Sequence, residues 1–316
     1  RILNSQHPES DRLGKPAHDE MLFIIIHQAY ELWFKQVLHE VNSIREIMQK
    51  PEINDNSPEL QTVVHRLSRT VTILKVLVHQ VDIMETMTPM DFLDFRDMLR
   101  PASGFQSWQF KTVEAYLGLK FDQRHGKEYY TSQLRPQQVE IIKKAEGDKS
   151  LLELVNDWLE RIPFTDEERN WQQYRDVYMS SLSEAELNNR QYFDEVFGEG
   201  ANLANRTLSP KACRAALFIM LYRGYPILQL PFQLLNNLLE IDDQLSTWRY
   251  RHMNMVHRMI GTRIGTGGST GKDYLKGAAD KHYIFVEIAR LTSFLVERRK
   301  LPKLATGVER KLGFVG

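Results

Sequence analysis

Apolar residues recur every three or four positions through most of this chain, and this spacing constrains the fold more than any other feature. One run predicts a long helix ended by Pro51, and its members are Phe23, Ile26, Tyr30, Trp33, Val37, Val41, Ile44 and Met48. A second run predicts another helix, and its members are Leu60, Val64, Leu67, Val71, Leu74, Val78 and Val81. The spacing is that of an α-helix with one buried face. Because no segment alternates as a strand would, and because the 17 glycines and 12 prolines are sparse, the sequence predicts an all-α fold.

Shorter helices are predicted where breaking residues enclose apolar runs. Thr88 and Pro89 have the form of a helix cap and first position, and this helix is expected to end at Leu99, before Pro101. Other helices are predicted over residues 150–161, 211–222 and 231–260. The more polar stretch from about residue 114 to 208 is expected to form peripheral helices. We therefore expect a single helical domain over residues 1–316 with an insertion at about 114–208.

Charge and cysteine content narrow the class of protein. The 41 basic residues balance the 41 acidic ones, so nothing indicates a nucleic acid or an anionic membrane as partner. Near the N-terminus the longest apolar run, from Met21 to Ile26, is too short to span a bilayer. A single cysteine, Cys213, excludes an internal disulfide and any multi-cysteine metal site. These features favour a soluble cytoplasmic protein.

A histidine interrupts the apolar stripe of the last long helix. That stripe comprises Leu238, Ile241, Leu245, Trp248, Met255 and Met259, and His252 fills its gap. An imidazole on a buried face needs a partner, because an unsatisfied polar group is costly there. The usual partner is a carbonyl, but the bulky neighbours would also suit the face of a porphyrin, with His252 on the iron. His257 lies about 140° further around the helix and is expected at the surface.

A second histidine, His27, follows Phe23 by four residues and therefore shares a helix face with it. Glu31 lies one turn further on. Taken alone, these residues favour a surface histidine paired with Glu31. The alternative is a histidine that contributes to a binding site beside Phe23.

Arg96 follows Phe92 by four residues and presents the same choice between structure and function. A salt bridge to a nearby aspartate is the structural alternative. The functional alternative is a guanidinium that binds a carboxylate beside an aromatic wall.

The glycine-rich segment 265–268 matches neither the phosphate-binding loop of nucleotide hydrolases nor the dinucleotide fingerprint. It presents the Thr266 hydroxyl and backbone amides. It is either a plain linker or a loop that closes over a ligand.

Together these segments resemble the tryptophan 2,3-dioxygenase family, and the resemblance covers most of the chain. The segments that carry it are HDEMLFIIIHQ at 18–28, Phe95–Arg96 with PASGFQS at 101–107, WRYRH at 248–252 and GTGGS at 265–269. The resemblance implies that His252 is the proximal haem ligand and that His27 is the distal, catalytic histidine that accepts the indole N–H. The substrate-binding residues it implies, besides His27, are Phe23, Ile24, Ile25, Ile26, Phe92, Arg96, Ser103, Gly104 and Thr266. Arg96 would pair with the substrate carboxylate, and Thr266 would contact its ammonium and carboxylate.

The resemblance also implies cofactor, reaction and assembly. A ferrous haem b would use O2 to insert both oxygen atoms across the indole C2–C3 bond of L-tryptophan, giving N-formyl-L-kynurenine in tryptophan degradation by the kynurenine pathway. The family implies a homotetramer in which a neighbour's N-terminal segment completes the site with a tyrosine, which we expect to precede Arg1. Three alternatives stay open: a haem monooxygenase acting on a modified indole, a non-catalytic haem or gas sensor, and a helical scaffold without cofactor. Arg96 and Thr266 argue against a sensor, which needs no carboxylate clamp.

Overall fold

A computed structural model describes residues 1–54, 57–126, 131–163, 168–198, 206–261, 263 and 271–313. These residues form helices and turns without any strand, which confirms the predicted all-α fold. The α-helices within the described residues are α1 (Glu9–Arg12), α2 (Glu20–Met48), α3 (Pro58–Met84), α4 (Pro89–Arg96), α5 (Trp108–Leu117), α6 (Pro136–Gly147), α7 (Leu151–Glu160), α8 (Glu168–Ser181), α9 (Asn188–Phe197), α10 (Pro210–Leu221), α11 (Gln229–Ile260), α12 (Gly271–Lys281), α13 (Val286–Arg290) and α14 (Thr306–Leu312).

The helix boundaries follow from local sequence signals. Helices α2 and α3 carry the two predicted stripes, and α11 carries the stripe interrupted by His252. At the start of α4 the Thr88 hydroxyl accepts from the Asp91 amide, and the Asp91 carboxylate accepts from the Thr88 amide at 2.9 Å. This reciprocal cap satisfies two amides that a helix start would otherwise leave unpaired. Helix α4 ends at Arg96, and a 3-10 turn over Asp97–Leu99 completes the predicted segment.

The chain divides into two compact units. Unit 1 comprises Arg1–Asn42, Arg69–Ser150 and Ile241–Ile284. Unit 2 comprises Ser43–Ser68, Leu151–Glu240 and Phe285–Gly316. The segment expected to be an insertion contributes residues to both units, and the single-domain organisation stays a prediction.

Each unit has its own buried core. In unit 2 the largest fully buried side chains are aromatic and include Trp158, Phe193, Phe197, Phe285 and Phe294. In unit 1 the buried residues include members of both predicted stripes, such as Val37, Val41, Leu74 and Val81. None of the described helices has the length and hydropathy that crossing a lipid bilayer demands.

Candidate active site

An incompletely covered apolar cluster lies in unit 1. Its buried members are Ile26, Met84, Met87 and Phe95. Partly buried residues packed against them are Ala17, Leu22, Phe23, Tyr30, Phe92, Leu99, Met255 and Met259. The cluster joins residues of α2, α3, α4 and α11. Apolar side chains that stay partly open beside a buried core are typical of the wall of a ligand site.

Three phenylalanine rings meet at one side of this cluster. The ring centroids of Phe23 and Phe92 are 5.8 Å apart, so the predicted pair does come together. Phe95 lies 5.6 Å from Phe23 and 5.4 Å from Phe92, with its ring edge-on to both. Edge-to-face contacts at these distances are favourable beyond the burial of area. Phe95, for which the sequence predicted no role, is fully buried and packs against the other two rings.

His27 lies against Phe23, with ring centroids 4.1 Å apart. Its Nδ1 is 2.7 Å from the Phe23 carbonyl oxygen. Because a carbonyl can only accept, Nδ1 carries the hydrogen, and Nε2 of the neutral ring is left as an acceptor. Burial lowers the pKa of His27, against weaker opposing effects of the Phe23 carbonyl and Glu31. The ring is therefore neutral at pH 7 and can accept an N–H from a ligand.

Within the described residues, His27 and Glu31 do not form the pair that the sequence alone favoured. The Glu31 carboxylate accepts instead from the Ser107 hydroxyl at 2.5 Å and from the Gln109 side-chain amide at 2.7 Å. Glu31 thus joins α2 to the start of α5, one turn beyond His27. No sequence signal indicated these partners, which lie more than seventy residues away.

His252 lies on α11 with its imidazole parallel to the Trp248 ring. The two ring centroids are 5.2 Å apart, and the ring planes differ by 6°. Burial, with a smaller contribution from nearby His27, lowers the pKa of His252 to about 4. Within the described residues neither ring nitrogen has a hydrogen-bond partner, so the carbonyl-bonded alternative is not formed there.

Both histidines keep solvent-accessible surface although the surrounding protein lowers their pKa values. This combination is expected of groups on the wall of a recess, where protein surrounds a side chain without covering it. Phe23, which contacts His27, and Met255, about one turn beyond His252, pack against the same cluster, so both histidines border the same region. The recess therefore has an unpartnered neutral imidazole on α11 and an acceptor imidazole on α2.

The remaining predicted residues differ in their placement. Arg96, the last residue of α4, is buried beside Phe95. Ser103 caps the 3-10 turn Gly104–Gln106, and its hydroxyl accepts from the Phe105 amide at 3.3 Å. Space is open around Gly104, where an added Cβ would meet no atom within 4 Å.

The run of three isoleucines is not brought together in one place. Ile26 belongs to the buried cluster, whereas Ile25 is 48% exposed and lies about 200° around the helix from Phe23. Ile24 is partly buried. Thr266 lies outside the described residues.

The donor set of the recess fits a haem. Among the described residues, no group of three or more histidine, cysteine, aspartate or glutamate side chains could hold a metal ion. The His252 imidazole can offer one nitrogen donor to an iron, and a porphyrin would supply four more. The flanking Met255, Met259 and Phe92 offer the apolar walls that a porphyrin face requires. Fold and site together define a helical protein whose recess suits a single-histidine haem beside an aromatic ligand pocket.

Comparisons with known proteins agree with this class. The model of the family described as tryptophan 2,3-dioxygenase matches residues 1–199 and 187–295. The tryptophan 2,3-dioxygenase of Bdellovibrio bacteriovorus is 42% identical, with 99% of this chain and 95% of the relative aligned. The enzyme of the same name from Xenopus tropicalis is 40% identical over 99% of this chain and 84% of the relative, and that of Mus musculus is 39% identical over 96% and 82%.

The chain belongs to the tryptophan 2,3-dioxygenase family. It is accordingly an oxidoreductase of the dioxygenase class, and membership does not favour the monooxygenase, sensor or scaffold alternatives. The family expected from the sequence is confirmed.

Proposed function

We propose that the recess would hold haem b and that His252 would bind its iron. The observation that carries this proposal is the His252 imidazole, which is neutral, unpartnered among the described residues and open to the recess. A deprotonated imidazole nitrogen is the form that binds a metal. The parallel Trp248 ring restricts the rotation of the imidazole, so the lone pair keeps one direction.

When bound, a ferrous haem held by His252 would supply the iron chemistry that activates dioxygen. The protein must then hold the substrate in one orientation and exclude water. We propose that the substrate is L-tryptophan and that both atoms of O2 enter its indole C2–C3 bond, giving N-formyl-L-kynurenine. Since His252 and His27 border the same apolar cluster, a haem held by His252 would lie beside the site proposed for the indole.

The indole ring would lie against Phe23 and Phe92, whose rings form an apolar wall. His27 Nε2 would accept the indole N–H, because Nδ1 is already committed to the Phe23 carbonyl. This contact would orient the indole C2–C3 bond and does not require His27 to remove a proton. His27 is the residue that we propose as catalytic in this orienting sense.

Arg96 would bind the substrate carboxylate. It follows the Phe92 and Phe95 rings on α4 and is buried, so a bound carboxylate would be poorly screened by water. Ser103, Gly104 and Thr266 would complete the polar end of the pocket, as the family resemblance implies. Ile24, Ile25 and Ile26 stay predicted substrate residues, and of these Ile26 has the most direct support because it packs in the cluster with Phe23.

We further propose that the protein is a homotetramer in the cytoplasm, with a neighbour's N-terminal segment completing the site. Support for self-association comes from α2, where Met21, Ile25 and Leu32 are 39%, 48% and 50% exposed on one helix face. Sedimentation analysis of the purified protein tests the assembly. A monomer at micromolar concentration would contradict it.

A matched pair of histidine variants tests haem ligation. His252→Ala should lose haem or its five-coordinate ferrous spectrum, whereas His257→Ala, exposed on the same helix, should keep both. Retention of the spectrum in His252→Ala would refute the assignment. Turnover of L-tryptophan under oxygen-18 gas tests the reaction, because a dioxygenase places both labelled atoms in the product and a monooxygenase places one.

A further inference from the structure

A buried carboxylate on α5 joins several charged groups of unit 1. Glu114 is buried, and its Oε2 accepts from Arg124 Nη1 at 2.7 Å. Its Oε1 accepts from Arg249 Nη2 at 2.7 Å, and His282 Nδ1 lies 3.7 Å from the same oxygen. These contacts hold the pKa of Glu114 well below its usual value despite burial. Charges are found in such dry surroundings only when they are paired in good geometry.

Arg249 extends this cluster to the helix that carries His252. It precedes His252 by three residues on α11, so it lies within one turn of the imidazole. Its second terminal nitrogen, Nη1, donates to the His282 carbonyl at 2.8 Å. Since His282 directly follows α12, one guanidinium fixes α11 both to α5 and to the end of α12. A planar fork with two fixed donors is a contact that lysine cannot reproduce.

The same helix α5 is also fixed on the side of His27. Ser107, the cap of α5, donates to Glu31, which lies one turn beyond His27 on α2. Lys111 Nζ donates to the Phe105 carbonyl at 2.5 Å and so contacts the 3-10 turn Gly104–Gln106, which Ser103 caps. Helix α5 therefore has direct polar contacts to both histidine-bearing helices.

We propose that Glu114, acting through Arg249, is a positioning residue for the axial ligand His252. The ion pair fixes the rotation and axial position of the α11 turn, and Trp248, adjacent to Arg249, fixes the plane of the imidazole. The proposal rests on the proposed function of His252. Partners that orient a metal ligand typically change metal affinity or activity by about 10- to 100-fold when they are altered.

A second arginine next to His252 provides a matched control. Arg251 donates to Asp82 Oδ1 at 2.5 Å, on α3, and to Glu85 Oε2 at 2.9 Å, directly after that helix. The Asp82 side chain is 56% exposed, so this pair is hydrated and contributes little. Asp82→Asn therefore removes a charge pair at the same helix turn without unpairing a buried group.

The test uses the haem-loaded protein with Arg249→Lys, Glu114→Gln and Asp82→Asn. Arg249→Lys keeps a charge toward Glu114 and loses the fork, so it is the variant expected to fold. The measurements are the iron–histidine stretching band of the ferrous protein by resonance Raman, the rate of haem transfer to excess apomyoglobin, and helix content by circular dichroism. We expect Arg249→Lys and Glu114→Gln to shift or broaden the band and to release haem about tenfold faster or more. Asp82→Asn should behave as the wild type.

Three outcomes would overturn the proposal. The first is an unchanged band and haem-release rate in Arg249→Lys. The second is an equal effect of Asp82→Asn, because the loss would then reflect any charge pair on this turn. The third is loss of helix content in Arg249→Lys, because the cluster would then serve the fold and not the ligand. If the wild type binds no haem, or His252→Ala keeps the band, the proposed function itself fails.

Discussion

Protonation of His252 should destabilise the haem-free protein as the pH falls. The pKa of this imidazole is about 4 in the folded chain, below its usual value of 6.5. The unfolded state therefore binds the proton more readily than the folded state. Stability is lost between about pH 6.5 and about pH 4, and it changes little from this group outside that interval.

The size of the effect follows from the two pKa values. The complete loss is about 3 kcal/mol, at about 1.36 kcal/mol for each pH unit between them. From about pH 7.5 to about pH 5 the loss is about 2 kcal/mol, because the unfolded state is then protonated and the folded state is not. The side chain keeps some solvent contact, so these values are upper limits.

Urea unfolding of the haem-free protein at these two pH values measures the effect. The wild type should lose about 2 kcal/mol more free energy of unfolding than His252→Gln, in which the titrating group is removed. His257→Gln, altered at an exposed position of the same helix, should behave as the wild type. With haem bound the loss should persist, because iron keeps the proton off the folded imidazole while the unfolded chain still binds it.

One result would refute the reasoning. If the wild type and His252→Gln lose the same free energy over this interval, the imidazole is not desolvated in the folded chain. The description of a recess with a neutral histidine on its wall would then be wrong.

Three further perturbations test other contacts. His27→Ala should keep haem and weaken tryptophan binding by roughly tenfold or less, since such a hydrogen bond contributes about 1 kcal/mol. Binding of 1-methyltryptophan, which lacks the N–H, should be weakened much less. Equal losses for the two compounds would argue against the contact. Arg96→Lys should raise KM for tryptophan and remove most discrimination against tryptamine, because about 1.5–3 kcal/mol of binding free energy from the carboxylate contact is lost. Equal effects on both substrates would contradict carboxylate binding. Gly277→Ala should destabilise the protein in thermal unfolding, because the added Cβ would collide with the His125 ring. Adding His125→Ala should restore stability if that collision is the cause.

Local periodicity was sufficient to predict the three long helices, α2, α3 and α11, and the position of His252 on the last of them. The spacing of apolar residues reports which side of a helix is buried, and the Thr88 and Pro89 signals act within a single turn. For the same reason the contact between Phe23 and His27 could be expected, because the two residues are four apart. The meeting of Phe23 with Phe92 came from the family resemblance and is found in the structure.

Contacts between distant segments could not be predicted in this way. Arg249 and Glu114 are 135 residues apart, and nothing in the spacing of either helix indicates the other. The WRYRH segment shows that Arg249 and Arg251 lie close to His252, but it does not indicate which residues they pair with. Which of Ile24, Ile25 and Ile26 faces the cluster was also hard to predict, because consecutive residues point to different sides of a helix and all three are apolar.

The hydrogen bond from His27 to the Phe23 carbonyl has a consequence for how such a pocket can diverge. Donor and acceptor lie on one helical turn, so the direction of the free Nε2 is decided within five consecutive residues. Residues elsewhere in the wall, such as Phe92, do not determine that direction. Substitutions there can change the size of the accepted indole while the ring nitrogen is still recognised in the same direction. Recognition of the indole nitrogen is therefore separable from selection among indole derivatives. The selectivity of the pocket can change while the nitrogen is still recognised.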